Sequence, residues 1–160
     1  MLMIEPKRIM YDEGRRDALD LASRAKDMDG TAIIAEEQKV PAWREDAVYT
    51  ADHVGFPVSD CGQVYTILMP HTPAHNPGAR PADLPAIYSV RHTKDPAKAK
   101  PWTASFGTSG LYALDECCTY PHTDGSIHVF RNKYDNNEFP PLTLTVEDRW
   151  EDLGEVKLWQ

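Results

Sequence analysis

The 160-residue chain is long enough for one ordinary domain or two small ones, and its 41% hydrophobic and 26% charged residues give the balance of a folded globular protein. A formal charge of −8 and a pI near 5.2 exclude the basic footprint of nucleic-acid binding, because clustered Lys and Arg are needed to displace counterions from phosphates. Thirteen prolines against nine glycines favour extended segments and loops, so the expected class is mainly β with a helical N-terminus.

The first ten residues lack the hydrophobic run of a signal peptide, since Glu5, Lys7 and Arg8 interrupt it. No apolar stretch approaches the roughly 20 residues that span a bilayer, so no membrane insertion is expected. From Asp12 to Met28 the apolar residues Ala18, Leu19, Ala22, Ala25 and Met28 recur at steps of three and four, which predicts a helix ending at Gly30. A second short helix is predicted from Thr31 to Gln38, capped by Asp29 or Thr31 and stopped by Pro41. Residues 1–40 therefore read as a helical docking segment. Its alanine-rich stripe suits attachment to a partner or assembly into a homo-oligomer.

Beyond Pro41 the chain turns to short runs of Tyr, Val, Ile, Thr and Trp separated by turn residues, the pattern of strands. That pattern occurs twice. Trp43, Tyr49, Val54, Gly62, Val64 to Ile67 and Tyr88 are matched by Trp102, Tyr112, Cys118, Gly125, Ile127 to Phe130 and Trp150, most of them about 60 residues further on. The division expected is a β module over 41–93, a linker over 94–100 rich in Lys, Ala and Pro, and a second β module over 101–160. Each module is predicted as three short antiparallel strands. So small a sheet needs large aromatics for its core, and Trp43, Tyr49, Val54 and Tyr65 are assigned to it in the first copy, Trp102, Tyr112 and Trp150 in the second.

The order of Trp, Tyr with a nearby acid, Gly before an aromatic strand, then a Pro loop closed by Tyr or Trp, resembles the small chitin-binding carbohydrate-binding modules of families 5 and 12. The carrying residues are Trp43, Tyr49, Asp52, Val54, Gly62, Val64 and Tyr65, then Trp102, Tyr112, Glu116, Cys118, Gly125, Ile127 and Trp150. The tandem arrangement after a helical prefix, with Asp135-Asn136-Asn137 and the ending Trp150 to Leu153, is similar to short proteins encoded in phage and prophage tail regions. The resemblance implies a non-enzymatic virion protein made in the bacterial cytoplasm, with tail or baseplate proteins and host surface glycan as partners. The alternatives are an accessory module of a polysaccharide-degrading system and a purely structural spacer.

Chitin-binding members present adjacent aromatics after the central strand, where this chain has Leu68 to His71 and Arg131 to Tyr134. The ligand candidates are accordingly scattered: Tyr134, Phe130 and Tyr120, which lack counterparts in the first copy, with His71 and Asn136. His71 and His75 are four apart, but Pro73 and Pro77 forbid the helix that would align them, so no metal site is assigned. Asp124-Gly125 beside His122 reads as a hairpin turn. Cys61, Cys117 and Cys118 are an odd count without a redox or zinc motif, and read as reduced thiols. Neighbours on a strand face opposite ways, so only one of Cys117 and Cys118 is expected in the core. No catalytic set and no cofactor are assigned.

Overall fold

The computed structural model describes residues 6–144 and 148–160. Residues 1–5 of the expected docking segment and 145–147 of the second module lie outside the described residues. The first helix, α1, spans Pro6–Arg24 and tightens into a 3-10 turn at Ala25–Asp27; α2 spans Gly30–Ala35 and is followed by a 3-10 turn at Glu37–Lys39. Gly30 does not end the first helix but begins the second, whose N-cap is Asp29, accepting from the Ala32 amide at 2.8 Å. The buried stripe of α1 runs through Leu21, Ala22 and Ala25, whereas Leu19 points outward at 59% exposure. No helix among the described residues is long and apolar enough to cross a membrane.

Sheet one holds β1 (Pro57–Asp60), β2 (Gln63–Ile67) and β3 (Tyr88–Val90), antiparallel in that order. Its first hairpin turns through Cys61 and Gly62, with φ of 48° and 78°, the double left-handed turn that matches strand twist. Sheet two has four strands: β4 (Lys100–Pro101), β5 (Cys117–Pro121), β6 (Ile127–Asn132) and β7 (Trp150–Glu155). β4 runs parallel to β5, so the second module is neither three-stranded nor wholly antiparallel. Helix and strand are of comparable extent, which corrects the expectation of a mainly β chain. The prolines explain part of the difference, since Pro73, Pro81 and Pro96 each open a 3-10 turn where their missing N–H costs nothing.

Backbone hydrogen bonds repeat from one module to the other. Trp43 N–H donates to Ser59 O as Trp102 N–H donates to Thr119 O; Tyr49 and His71 exchange a pair as Tyr112 and Asn137 do. Gly55 N–H reaches Ile67 O as Asp115 N–H reaches Asn132 O, and Gly55 and Asp115 share positive φ. These bonds make Val58, not Val54, the equivalent of Cys118. Val54 follows a 3-10 turn at Ala51–His53, only partly buried and outside the core clusters.

All five residues of β2 are buried because both sheet faces are covered. Val64 packs with Leu21, Ile33, Ile34 and Val40 of the helical layer; Tyr65 and Ile67 pack on the other side with Val58 and Tyr88, flanked by Trp43 and Tyr49. Tyr112, Cys118, Phe130 and Trp150 form the second module's core, with Trp102 and Tyr120 against it. Cys117 and Cys118 are both buried, contrary to the strand-face expectation: Thr93 pairs along the strand edge at Cys117, and the chain that follows it lies over the Cys117 thiol, whose Sγ is 3.8 Å from Lys94 O.

The stretch 94–100 is an ordered connection. Lys94 N–H donates to Thr31 Oγ1 at 2.9 Å, Asp95 caps the turn Pro96–Lys98, and the Lys100 ammonium binds Glu37 and the Gly62 carbonyl, both at 2.8 Å. The Gln63 side chain crosses from β2 to Pro101 O at 3.0 Å. Just before it, the buried His92 ring stacks on Tyr112 at 3.6 Å between centroids.

Candidate functional site

On β5 and β6 alternate residues share a face, so Cys118 and Tyr120 lie with His128 and Phe130, and the β7 pairing adds Trp150 and Asp152. Beside this face the loop residues between 139 and 144, with Asp148 and Arg149, line a cavity of about 440 Å³. Phe139, Trp150, Asp148, Arg149, His122 and Asp152 are among its walls. The Arg149 guanidinium packs over the Tyr134 and Phe139 rings, 5.2 Å from each centroid, and its buried Nε has no hydrogen-bond partner among the described residues. The Trp150 indole N–H donates to Phe139 O at 2.9 Å and fixes the loop to the sheet.

One end of the cavity is a polar cluster made by the β5–β6 hairpin. Its turn runs from His122 to Ser126, with Gly125 N–H donating to His122 O and Gly125 at φ 86°, a type I turn closed by a left-handed glycine. Period-two alternation then puts His122, Ser126 and His128 on one side. Asp152 arrives through a β-bulge: Phe130 pairs with Asp152 but His128 with Glu155, one residue further than regular pairing allows. Asp152 helps form that bulge, because its Oδ1 accepts from Gly154 N–H at 2.8 Å while Gly154 adopts φ 94°.

Within the cluster His128 Nδ1 lies 2.8 and 2.9 Å from the two Asp152 oxygens, and His128 Nε2 lies 3.0 Å from Ser126 Oγ. Ser126 Oγ in turn donates to Asp124 at 2.5 Å. His122 Nε2 is 3.6 Å from Asp152 Oδ2, and the two imidazoles stack at 4.5 Å. Burial pushes the Asp152 carboxyl up, but the Gly154 amide and His128 outweigh it and hold the group below its ordinary range. Asp124 is also held low, by the bonds from Ser126. Among the described residues, His122, His128 and Asp152 are the group whose ligating atoms converge, all within 4.8 Å of one another.

The sequence-derived ligand candidates do not converge on one place. Phe130 is 2% exposed and belongs to the core, although its edge reaches the cavity; it pairs with Cys118 as Tyr65 pairs with Val58, so buried Tyr65 is its counterpart in the first module. Tyr120 packs edge-on against Trp102. Tyr134 is 39% exposed and joins the cavity wall through Arg149. Asn136 sits exposed at φ 55°, a turn position.

His71 is a structural lock. Trp43 Nε1–H donates to the Tyr88 hydroxyl at 2.8 Å and the same hydroxyl bonds His71 Nε2, while His71 Nδ1 meets Met69 O at 2.9 Å. With Nδ1 donating to a carbonyl, Nε2 accepts the Tyr88 proton, and every group is satisfied. His75 is exposed and makes no cluster with it.

Cys117 and Cys118 are not activated as nucleophiles. Burial pushes the Cys117 thiol up to about 11 and Cys118 higher still, the opposite of what a nucleophile requires. A second concavity of about 260 Å³ lies where the modules meet, with Tyr65 and Tyr88 on one side and Phe106, 57% exposed, on the other.

The grouping of His122 with His128 was open to sequence reasoning, since a five-residue turn fixes which residues share a face. Asp152 was not, because a bulge and a 24-residue separation bring it there. Comparison with known proteins finds no family model and no curated protein that the chain matches.

Proposed function

We propose that the chain is a non-catalytic binding protein of the phage-tail type, which takes a host surface glycan in the cavity of its second module and attaches to a virion partner through the outer half of α1. The observation that carries the reading is the make-up of that cavity. Phe139 and the edge of Trp150 offer aromatic surface, while Arg149, Asp148, Asp152 and His122 offer donors and acceptors around it. Sugar rings are recognised by this combination, an apolar C–H face against an aromatic ring and hydroxyls against charged side chains. The buried Arg149 Nε, which has no acceptor among the described residues, adds a donor for a hydroxyl.

The attachment half rests on different residues. Residues 12–20 of α1 are exposed apart from the partly covered Ala18, and Leu19 presents an apolar side chain outward.

Retention of the full chain on insoluble polysaccharides and on a glycan array tests the reading. Phe139→Ala and Arg149→Ala are expected to weaken retention at least tenfold, and Leu19→Asp to leave it unchanged while releasing the tail partner in a pull-down. Failure to retain any glycan overturns the binding half.

A further inference from the structure

We infer that His122, His128 and Asp152 form a binding site for a divalent transition-metal ion of the zinc type, held at the mouth of the second module's cavity. The inference goes beyond glycan binding: it shares His122 and Asp152 with that reading and adds His128 and the hydrogen bonds that orient it.

The donor set comes first. Two imidazoles and one carboxylate suit zinc and its neighbours, whereas calcium and magnesium call for oxygen alone. Zinc bonds of about 2.0–2.2 Å in a tetrahedral site place ligand atoms roughly 3.4 Å apart. His122 Nε2 and Asp152 Oδ2 are already 3.6 Å apart, and His128 Nδ1 lies 2.9 Å from the same oxygen. All three ligating atoms fall within 4.8 Å of one another, and the two rings, stacked within 25° of parallel, would tilt out of the stack to aim both nitrogens at one ion.

The surrounding bonds favour this more strongly than the distances do. A metal-bound histidine normally gives its other N–H to a fixed acceptor, which sets the tautomer and the ring plane. His128 Nε2 has such a partner in Ser126 Oγ, 3.0 Å away, and that hydroxyl is itself oriented by donating to Asp124. The single hydroxyl proton of Ser126 is thus committed, which makes His128 Nε2 the donor to it and leaves Nδ1, paired with Asp152 at 2.8 Å in the absence of an ion, as the nitrogen that would pass to the ion. Asp152 is arranged in the same way. Its Oδ1 is held by the Gly154 amide, and its Oδ2 turns toward both histidines.

His122 and Asp152 also line the cavity, so the ion's remaining coordination position falls on the side where a ligand enters. Three protein ligands and one exchangeable position is the arrangement that lets an ion bind a ligand oxygen directly. The ion would then fasten a hydroxyl or carboxylate of whatever fills the cavity.

Titration of the untagged full chain with Zn²⁺ by calorimetry, and with Co²⁺ by visible absorption, tests the site. One equivalent is expected, with the intense ligand-field bands of a four-coordinate cobalt ion. His122→Asn and Asp152→Asn should each weaken binding more than tenfold, and Ser126→Ala by about tenfold through His128, as outer partners of metal ligands do. His75→Asn and Cys61→Ser, both at exposed positions, should change nothing. Circular dichroism of each variant separates loss of the site from loss of the fold. Absence of stoichiometric binding, or binding that survives His122→Asn and Asp152→Asn in folded protein, overturns the proposal. Glycan retention measured in chelator distinguishes this outcome from failure of the glycan reading.

Discussion

Gly30 stands where the carbonyl oxygen of His92 would meet an added Cβ at 2.2 Å, so a glycine that looks like a helix stop in sequence is required by packing. Gly30→Ala must push backbone against backbone and should destabilise the protein by about 2 kcal/mol or more in denaturant unfolding. Gly14→Ala, on the open side of α1, is the contrasting case and should be neutral or stabilising by up to about 1 kcal/mol.

Asn132 and Asn137 carry the same lesson. Both are fully buried, with Asn132 Nδ2 donating to the Tyr112, Ala113 and Tyr134 carbonyls and Asn137 Nδ2 donating to Asn132 Oδ1. Sequence reasoning takes Asn136 as a ligand candidate and Asn137 only as its neighbour in a shared segment, because nothing in the order of letters tells a buried amide from an exposed one. Asn132→Ala takes the acceptor from the buried Asn137 amide along with its own donors to three carbonyls and should cost about 2–4 kcal/mol, whereas Asn136→Gly should cost nothing, since its φ of 55° already suits glycine.

His92 gives a pH signature. Burial holds its imidazole down at about 4 against an ordinary 6.5, with its Nε2–H bond to Gly110 O opposing the shift and nearby Arg91 adding to it. Between those values the unfolded chain binds a proton that the folded chain refuses, so stability rises with pH across the window. The contribution is complete above pH 6.5 and lost as pH falls to 4, up to about 3 kcal/mol. Glu116, raised by burial, acts in the opposite direction as pH climbs past its unfolded value. The His92 part is therefore read as the difference between wild type and His92→Gln in unfolding midpoints at pH 5 and pH 7. Equal pH dependence in the two proteins would refute it.

At the scale of elements, the repeat was legible where backbone geometry demands a residue type. Gly62 and Gly125 both take positive φ in hairpin turns, and Trp43 and Trp102 both begin the stretch that runs beside a sheet. The match of Val54 with Cys118 failed because the two modules have loops of different length before the first central strand, and counting residues cannot see where a ladder begins. Strand β4 escaped notice for a related reason, since two residues carry no alternation to detect. The helices were found by period, and the structure adds a packing role to them. Leu21, Ile33 and Ile34 are fully buried against Val64, so the helical layer is part of the first module's core. Leu21→Ala should accordingly cost about 2–5 kcal/mol, a core truncation and not the loss of a detachable arm. Removal of residues up to Asp17, by contrast, should leave the unfolding midpoint nearly unchanged, because the described side chains there are exposed.

For the whole molecule the question is whether two modules behave as two units. Chains with duplicated modules often unfold in steps, and a polar linker between aromatic-rich repeats suggests as much from sequence. The structure ties the modules at several independent places: Thr93 pairs with Cys117 of β5, His92 stacks on Tyr112 of the second core, and Gln63 reaches from β2 to Pro101. Lys100 ties the same junction to Glu37 and to the first hairpin, and the 14%-exposed ammonium stem makes that pair less screened than a surface bridge. Local opening of one module would expose the Tyr112 face and strip Cys117 of its partner in the other. Unfolding should therefore be a single cooperative transition, with calorimetric and van't Hoff enthalpies equal and with tryptophan fluorescence and far-ultraviolet dichroism superimposing. His92→Gln combined with Gln63→Ala, which weakens only the junction, should broaden or split that transition while each sheet keeps its own ladder. Two resolved transitions in the wild-type chain would show that the junction bonds are too weak to couple the cores.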